Sequence, residues 1–247
     1  MIFCKISLLY CGFSLVVANV YFVKSFVPMF MKSTSLTILF FLFFIIYKKV
    51  RKHPFDFKTI EWKNLLFFAS VGLLLNVVIT LIVSSLAYVL PADMVSALDQ
   101  STGAALTGNL FVMLIGTGIL APILEELVFR YGICGTLARS NATFALIASS
   151  LIFGIVHGNV IQAAYATILG LFFGFIYLKT KNIWYPAILH MAVNSSSVIV
   201  SYTNAVWLYA VFAVVAAVVI IVMIHKCPEL KNIFKKNVYL ENNTDNL

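Results

Sequence analysis

Charge is what this sequence has least of. Only 11% of its 247 residues are Asp, Glu, Lys or Arg, and nine residues are acidic. With 62% hydrophobic residues and a mean hydropathy of +1.01, the chain has more apolar surface than a water-soluble domain of this length needs. Cysteine is also sparse. Cys4, Cys11, Cys134 and Cys227 show no paired spacing, so neither a disulfide framework nor a cysteine metal cluster is indicated. They read as small apolar residues within or at the ends of helices. Strict apolar–polar alternation is missing, which excludes a transmembrane barrel. No internal repeat is visible, which argues against an inverted-repeat transporter.

What the chain does have is long apolar runs. A stretch of about 18 or more apolar residues can cross a bilayer, and several occur. The expected architecture is all-α: a polytopic transmembrane helical bundle in one domain over 1–247. About eight spans are expected, over 6–23, 33–47, 64–90, 101–138, 142–157, 162–178, 182–202 and 205–224. The first run reads as a retained helix and not a signal peptide, because no small-x-small cleavage pattern follows it. Pro91 ends the third run, and Asp93 and Asp99 mark an acidic loop after it. A polar tail occupies 226–247. The net charge of +8 is an orientation signal and not a nucleic-acid surface. Lys5, the basic cluster from Lys48 to Lys63, Arg139, Lys179, Lys181 and the tail lysines fall on one side. Only Lys24 and Lys32 fall on the other. Both termini are therefore expected in the cytoplasm. Gly154 with Gly158, and Gly170 with Gly174, are spaced to let neighbouring helices approach closely.

Seven of the nine acidic residues lie in apparent loops, flanks or the tail; the other two are Glu125 and Glu126, inside an apolar run. Arg130 follows one turn later. His157 and His190 also lie in apolar runs, and Asn194 is one turn beyond His190. Ionisable groups at membrane depth are costly and mark functional sites by default. Residues four apart share a helix face, so Glu126 and Arg130 can pair. Glu125 is rotated by roughly 100° from Glu126 on a helix and is left for chemistry. Peptide hydrolysis needs a base for water and donors for an oxyanion. Two carboxylates, two imidazoles, an amide and a cation can supply both. The same residues admit other readings: a packing ion pair, a proton relay in a transporter, or a catalytically silent immunity protein. Glu125, Glu126, His157 and His190 could also ligate a divalent metal such as zinc. Cofactor use stays open, although a second imidazole partner beyond Glu126 is hard to find. No His-Glu-x-x-His motif is present. No Gly-x-Ser-x-Gly elbow surrounds Ser195, Ser196 and Ser197, so those serines read as hydrogen bonds within the bundle. Counted from the inner loops, Glu125, His157 and His190 lie roughly 20, 24 and 12 Å deep at 1.5 Å per residue. A re-entrant start near 184–186 would ease that mismatch.

The ordered triple Glu125-Glu126-x-x-x-Arg130, Phe153-x-x-x-His157 and His190-x-x-x-Asn194 resembles the signature of the CAAX prenyl protease and bacteriocin-processing family, also called Abi. The match covers about 125–194, within a catalytic core expected over 101–202. The resemblance implies an intramembrane endopeptidase. In it Glu125 would activate water, His157 and His190 would be catalytic, and Asn194 would help hold the oxyanion. Glu126 and Arg130 would be supporting residues. It also implies a lipid bilayer as environment and a peptide or protein substrate, lipidated or a bacteriocin or pheromone precursor. Nucleic acid is not expected. Lysine far outnumbers arginine, and Asn, Ile and Phe are frequent, which points to a bacterial plasma membrane.

Overall fold

The computed structural model describes residues 59–96, 109–227 and 230. The expected spans over 6–23 and 33–47 and most of the polar tail lie outside these residues. Six principal helices follow in order: α1 (Trp62–Leu86), α2 (Leu110–Leu137), α3 (Ala142–Ile155), α4 (Val160–Thr180), α5 (Trp184–Thr203) and α6 (Trp207–Lys226). Among the described residues there is no strand.

Local chemistry sets most helix ends. Asn109, Asn141 and Asn159 precede α2, α3 and α4, and each side-chain oxygen accepts from a backbone N–H in the first turn, at 2.9, 2.8 and 3.0 Å. Lys181 and Asn204, at φ 54° and 53°, end α4 and α5 in the left-handed conformation. Pro186 sits in the first turn of α5, where its missing N–H costs little. The helix therefore starts at Trp184 without a re-entrant break. Hydroxyls inside the apolar helices bond back to the preceding turn, as Ser70 does to the Leu66 carbonyl and Thr80 to the Asn76 carbonyl.

Four helices, α1, α2, α4 and α6, are long and apolar enough to cross a membrane. At 14 residues α3 is about 21 Å long, short of a ~30 Å hydrocarbon core. The 20 residues of α5 include His190, Asn194 and four serines, which make it too polar to qualify alone. Its location explains how it is accommodated. Along α5, Tyr185, Leu189, His190, Val193, Ser196, Val198 and Val200 are buried against α1, α2 and α4. On α6 only Ala216 is buried, and its remaining surface is apolar. The polar helix is inside and the apolar helix outside, as lipid demands.

One end of the bundle can be traced by contacts. Tyr185 at the start of α5 accepts from the Glu61 N–H at 2.8 Å, next to the start of α1. Cys134 of α2, Ala145 of α3 and Leu178 of α4 form one cluster. Cys227 and Leu230 beyond α6 join Leu65, Phe68 and Tyr185.

The glycine expectations divide. Gly154 lies where a Cβ would run into Thr167 Oγ1 and come within 2.5 Å of the Ala163 carbonyl, so α3 and α4 do cross in close contact there. Gly170 and Gly174 meet Ser150 and Leu146 of α3 at 3.3 and 2.7 Å. Gly158 plays no part in this crossing. It has open space around it and a φ of 73°, and it serves the turn that leaves α3.

Candidate functional site

The helix that carries the carboxylates is not uniform. Two π-helical stretches, Leu114–Leu120 and Leu127–Cys134, flank the α-helical Ala121–Glu126. Such widened turns occur often at functional sites. Pro122 opens the α-helical piece, and lacks the N–H that a carbonyl one turn earlier would receive.

Glu126 and Arg130 are both fully buried, with Arg130 Nε 3.0 Å from Glu126 Oε2. The N–H is not aimed at that oxygen, so the contact is an ion pair without an aligned hydrogen bond. Arg130 is held further by its Nη2, which donates to the Gly170 carbonyl at 3.3 Å. Its guanidinium carbon lies 4.4 Å from the centre of the Phe153 ring and 5.8 Å from that of Phe173. The other oxygen of Glu126 accepts from His190 Nδ1 at 2.8 Å. Glu126 thus holds the cation and the imidazole together. The two carboxylate oxygens point to different partners, and no choice is needed.

This bond fixes the His190 tautomer. With Nδ1–H given to Glu126, a neutral His190 presents Nε2 as an acceptor. Glu125 Oε2 lies 3.8 Å from that Nε2, with a quarter of its side chain exposed. The separation is too long for a direct hydrogen bond. His190 is stacked on Phe173, with ring centres 4.9 Å apart, and edge-on to Phe153 at 5.7 Å. These contacts leave the ring little freedom. Glu125 and His190 therefore lie at one depth, despite the different counts from their helix ends, and α2 is twice as long as α3.

His157 lies on the turn just past α3 and not within a helix, and is half-buried. Its Nδ1 donates to the Phe153 carbonyl at 2.8 Å, which leaves Nε2 as the working nitrogen of the neutral ring. Phe153 touches both imidazoles, its ring centre 5.0 Å from that of His157. Asn194 gives one amide N–H to the Thr117 carbonyl at 3.1 Å, and among the described residues its second N–H has no side-chain or carbonyl partner.

Five of the six sequence-selected residues are therefore linked: Glu125, Glu126, Arg130 and His190 directly, and Asn194 through the same α2–α5 contact. His157 connects to them through Phe153. The sequence reasoning passed over Phe173, Thr117 and Gly118. The available signal was Pro122, a helix breaker three residues before Glu125 inside an otherwise helical run.

A three-ligand zinc site does not fit this arrangement. Among the described residues no three His, Cys, Asp or Glu side chains are disposed to hold a metal. Both oxygens of Glu126 and Nδ1 of His190 are engaged; the free donors are Glu125, His190 Nε2 and His157 Nε2, and these three are not gathered as the three protein ligands that catalytic zinc takes.

The fold and site define a class: an integral membrane α-helical protein with a buried carboxylate–imidazole centre. Residues 107–196 match the family model described as type II CAAX prenyl endopeptidase, Rce1-like. The chain is 43% identical over 89 residues to YdiL, a candidate membrane peptidase of Bacillus subtilis (strain 168), covering 36% of each chain. It is 30% identical over 169 residues to the UPF0177 protein YxdF of Lactococcus lactis subsp. lactis (strain IL1403), covering 64% of this chain and 89% of that one. The chain belongs to the Rce1-like CAAX protease family, a family of intramembrane proteases. It spans about a third of the length of YdiL. No solved structure matches it.

Proposed function

We propose that this protein is an intramembrane endopeptidase that cleaves a membrane-associated protein or peptide with a water activated by Glu125. The observation that carries this reading is the 3.8 Å gap between Glu125 Oε2 and His190 Nε2. A water about 2.8 Å from both atoms fits that gap and gives one hydrogen to each acceptor. Its lone pair is then turned toward a scissile carbonyl. Glu125 takes the proton as the water attacks, and Glu126 keeps His190 in the accepting tautomer. The second N–H of Asn194 donates to the developing oxyanion. His157 exchanges a proton with the leaving amine through Nε2. Arg130 balances the charge of Glu126 and touches no substrate.

The family description favours a C-terminal peptide following a prenylated cysteine as substrate, and a processed bacteriocin or pheromone precursor has the same membrane-associated chemistry. Relatives in two bacteria support a bacterial plasma membrane. The test uses purified protein in liposomes and a quenched fluorescent peptide ending in farnesylated Cys-aliphatic-aliphatic-X. Glu125→Gln is expected to reduce cleavage by at least about 100-fold without loss of folded protein. Full cleavage by that variant overturns the reading. Activity that chelators abolish and zinc alone restores would replace the Glu125-only route with a metal-dependent one.

A further inference from the structure

Between Asn64 and Ser84 the apolar run of α1 is interrupted by the polar side chains of Ser70, Asn76 and Thr80. Ser70 and Thr80 bond back to their own helix, to the Leu66 and Asn76 carbonyls at 2.9 and 2.8 Å. The Asn76 carboxamide reaches across to another helix. It is buried roughly 21 Å along α1, near mid-span, and its Nδ2 donates to Ser197 Oγ of α5 at 3.3 Å. An amide in hydrocarbon is costly unless paired, and pairing between helices is what such residues do in membranes. Ser197 Oγ in turn donates to the Val193 carbonyl at 3.2 Å. The hydroxyl accepts from Asn76 on a lone pair and keeps its hydrogen for Val193. The result is a chain of two bonds from α1 into the backbone of α5, each polarising the other. Ser196 Oγ donates to the same carbonyl at 2.7 Å. Hydroxyls that bond back onto a helix carbonyl often bend the helix there, and Val193 lies between His190 and Asn194.

We infer that Asn76 is a positioning residue: through Ser197 it holds the turn of α5 around Val193, and so the placement of His190 and Asn194 opposite Glu125. It acts through α5 and not on substrate. Ser197 is the relay, and its hydroxyl is useful because it can accept from one helix while donating to the other. The inference rests on the endopeptidase reading only for its kinetic arm.

The experiment is a double-mutant cycle of Asn76→Leu and Ser197→Ala, in the full chain, with two readouts. Leu has the branched shape of Asn without its polar atoms and suits an apolar span, so the variant protein is expected to insert and fold. With the farnesylated reporter, each single variant is expected to reduce kcat about fivefold with KM unchanged, because only alignment is lost. The double variant is expected to lose no more than either single, since both break one chain of bonds. Ser197→Thr keeps the hydroxyl and is expected to retain native kcat. Losses in kcat that multiply in the double variant overturn the chain from Asn76 to Val193. Native kcat in both single variants, or a Ser197→Thr as slow as Ser197→Ala, overturns the positioning role. The thermal unfolding midpoint in detergent is expected to fall by about 2 °C in each single variant and no further in the double. Should native protein cleave no reporter, the endopeptidase reading fails, while the unfolding cycle still decides the α1–α5 bond: coupled midpoints uphold it and additive ones overturn it.

Discussion

Glu126 carries two obligations in a space closed to water, and Arg130 is the cation that makes both tolerable. Arg130→Ala would leave Glu126 buried with only an imidazole as partner. It would also remove a planar group lying over Phe153. Breaking a buried pair by removing one member costs about 3–5 kcal/mol. Among the described residues Glu125 has no such partner, and it is partly exposed. Arg130→Ala is therefore expected to lose most folded protein, scored by size-exclusion yield and thermal unfolding, while Glu125→Ala stays near native yield. Equal losses would contradict this division between the two carboxylates. The pairing of Glu126 with Arg130 was legible in the sequence because i,i+4 spacing fixes which carboxylate meets the cation. The partnership of Glu126 with His190 was not, because it depends on how α2 lies against α5, and spacing along one helix carries no such information. His157 was placed in a helix because its neighbours are apolar. The chain in fact leaves α3 at Ile155, and the left-handed Gly158 completes the turn.

At the scale of elements, the crossing of α3 and α4 holds Phe153 against the site and supplies the Gly170 carbonyl that receives Arg130. Gly154 and Gly158, four residues apart, appear equivalent in the sequence, and only the backbone conformation separates them. Gly154→Ala puts a methyl against Thr167 and the Ala163 carbonyl, and is expected to cost about 1–3 kcal/mol by overpacking. Gly158→Ala meets open space but must hold a positive φ, at a cost of about 1–2 kcal/mol. The sizes overlap, so a coupling measurement separates the causes. Thr167→Ala should recover part of the Gly154→Ala loss and none of the Gly158→Ala loss, as read from unfolding midpoints in detergent. Helix existence was well marked by the apolar runs, and the asparagine caps lie where the runs begin. The π-helical stretches were not marked, since a π turn and an α turn share the same apolar composition and differ by a single residue of register.

For the whole molecule, the distribution of charge over the two ends decides orientation. Glu61, Lys63, Arg139, Lys179, Lys181 and Lys226 belong to the end at which α1 and α5 start and α2, α4 and α6 finish. The Tyr185–Glu61 bond, the Cys134–Ala145–Leu178 cluster and the packing of Cys227 beside Leu65 tie those termini together. At the opposite end the described residues include one charged side chain, Asp93. Exposed aromatic residues stand near both ends: Trp62 (73%), Tyr88 (92%) and Trp207 (66%), as expected of headgroup-level anchors. Basic loops are retained in the cytoplasm, so the lysine-rich end is expected to face inward, with the turns at 88–96 and 204–206 outside. This predicts the outcome of cysteine labelling in intact cells, with the native cysteines replaced. Asp93→Cys should react fully with a membrane-impermeant maleimide. Arg139→Cys should react only after the membrane is permeabilised, although both positions are exposed in the fold. The reverse pattern would overturn the orientation. It would leave the Glu125–His190 geometry intact, because that geometry depends on contacts between helices and not on which side of the membrane their loops occupy.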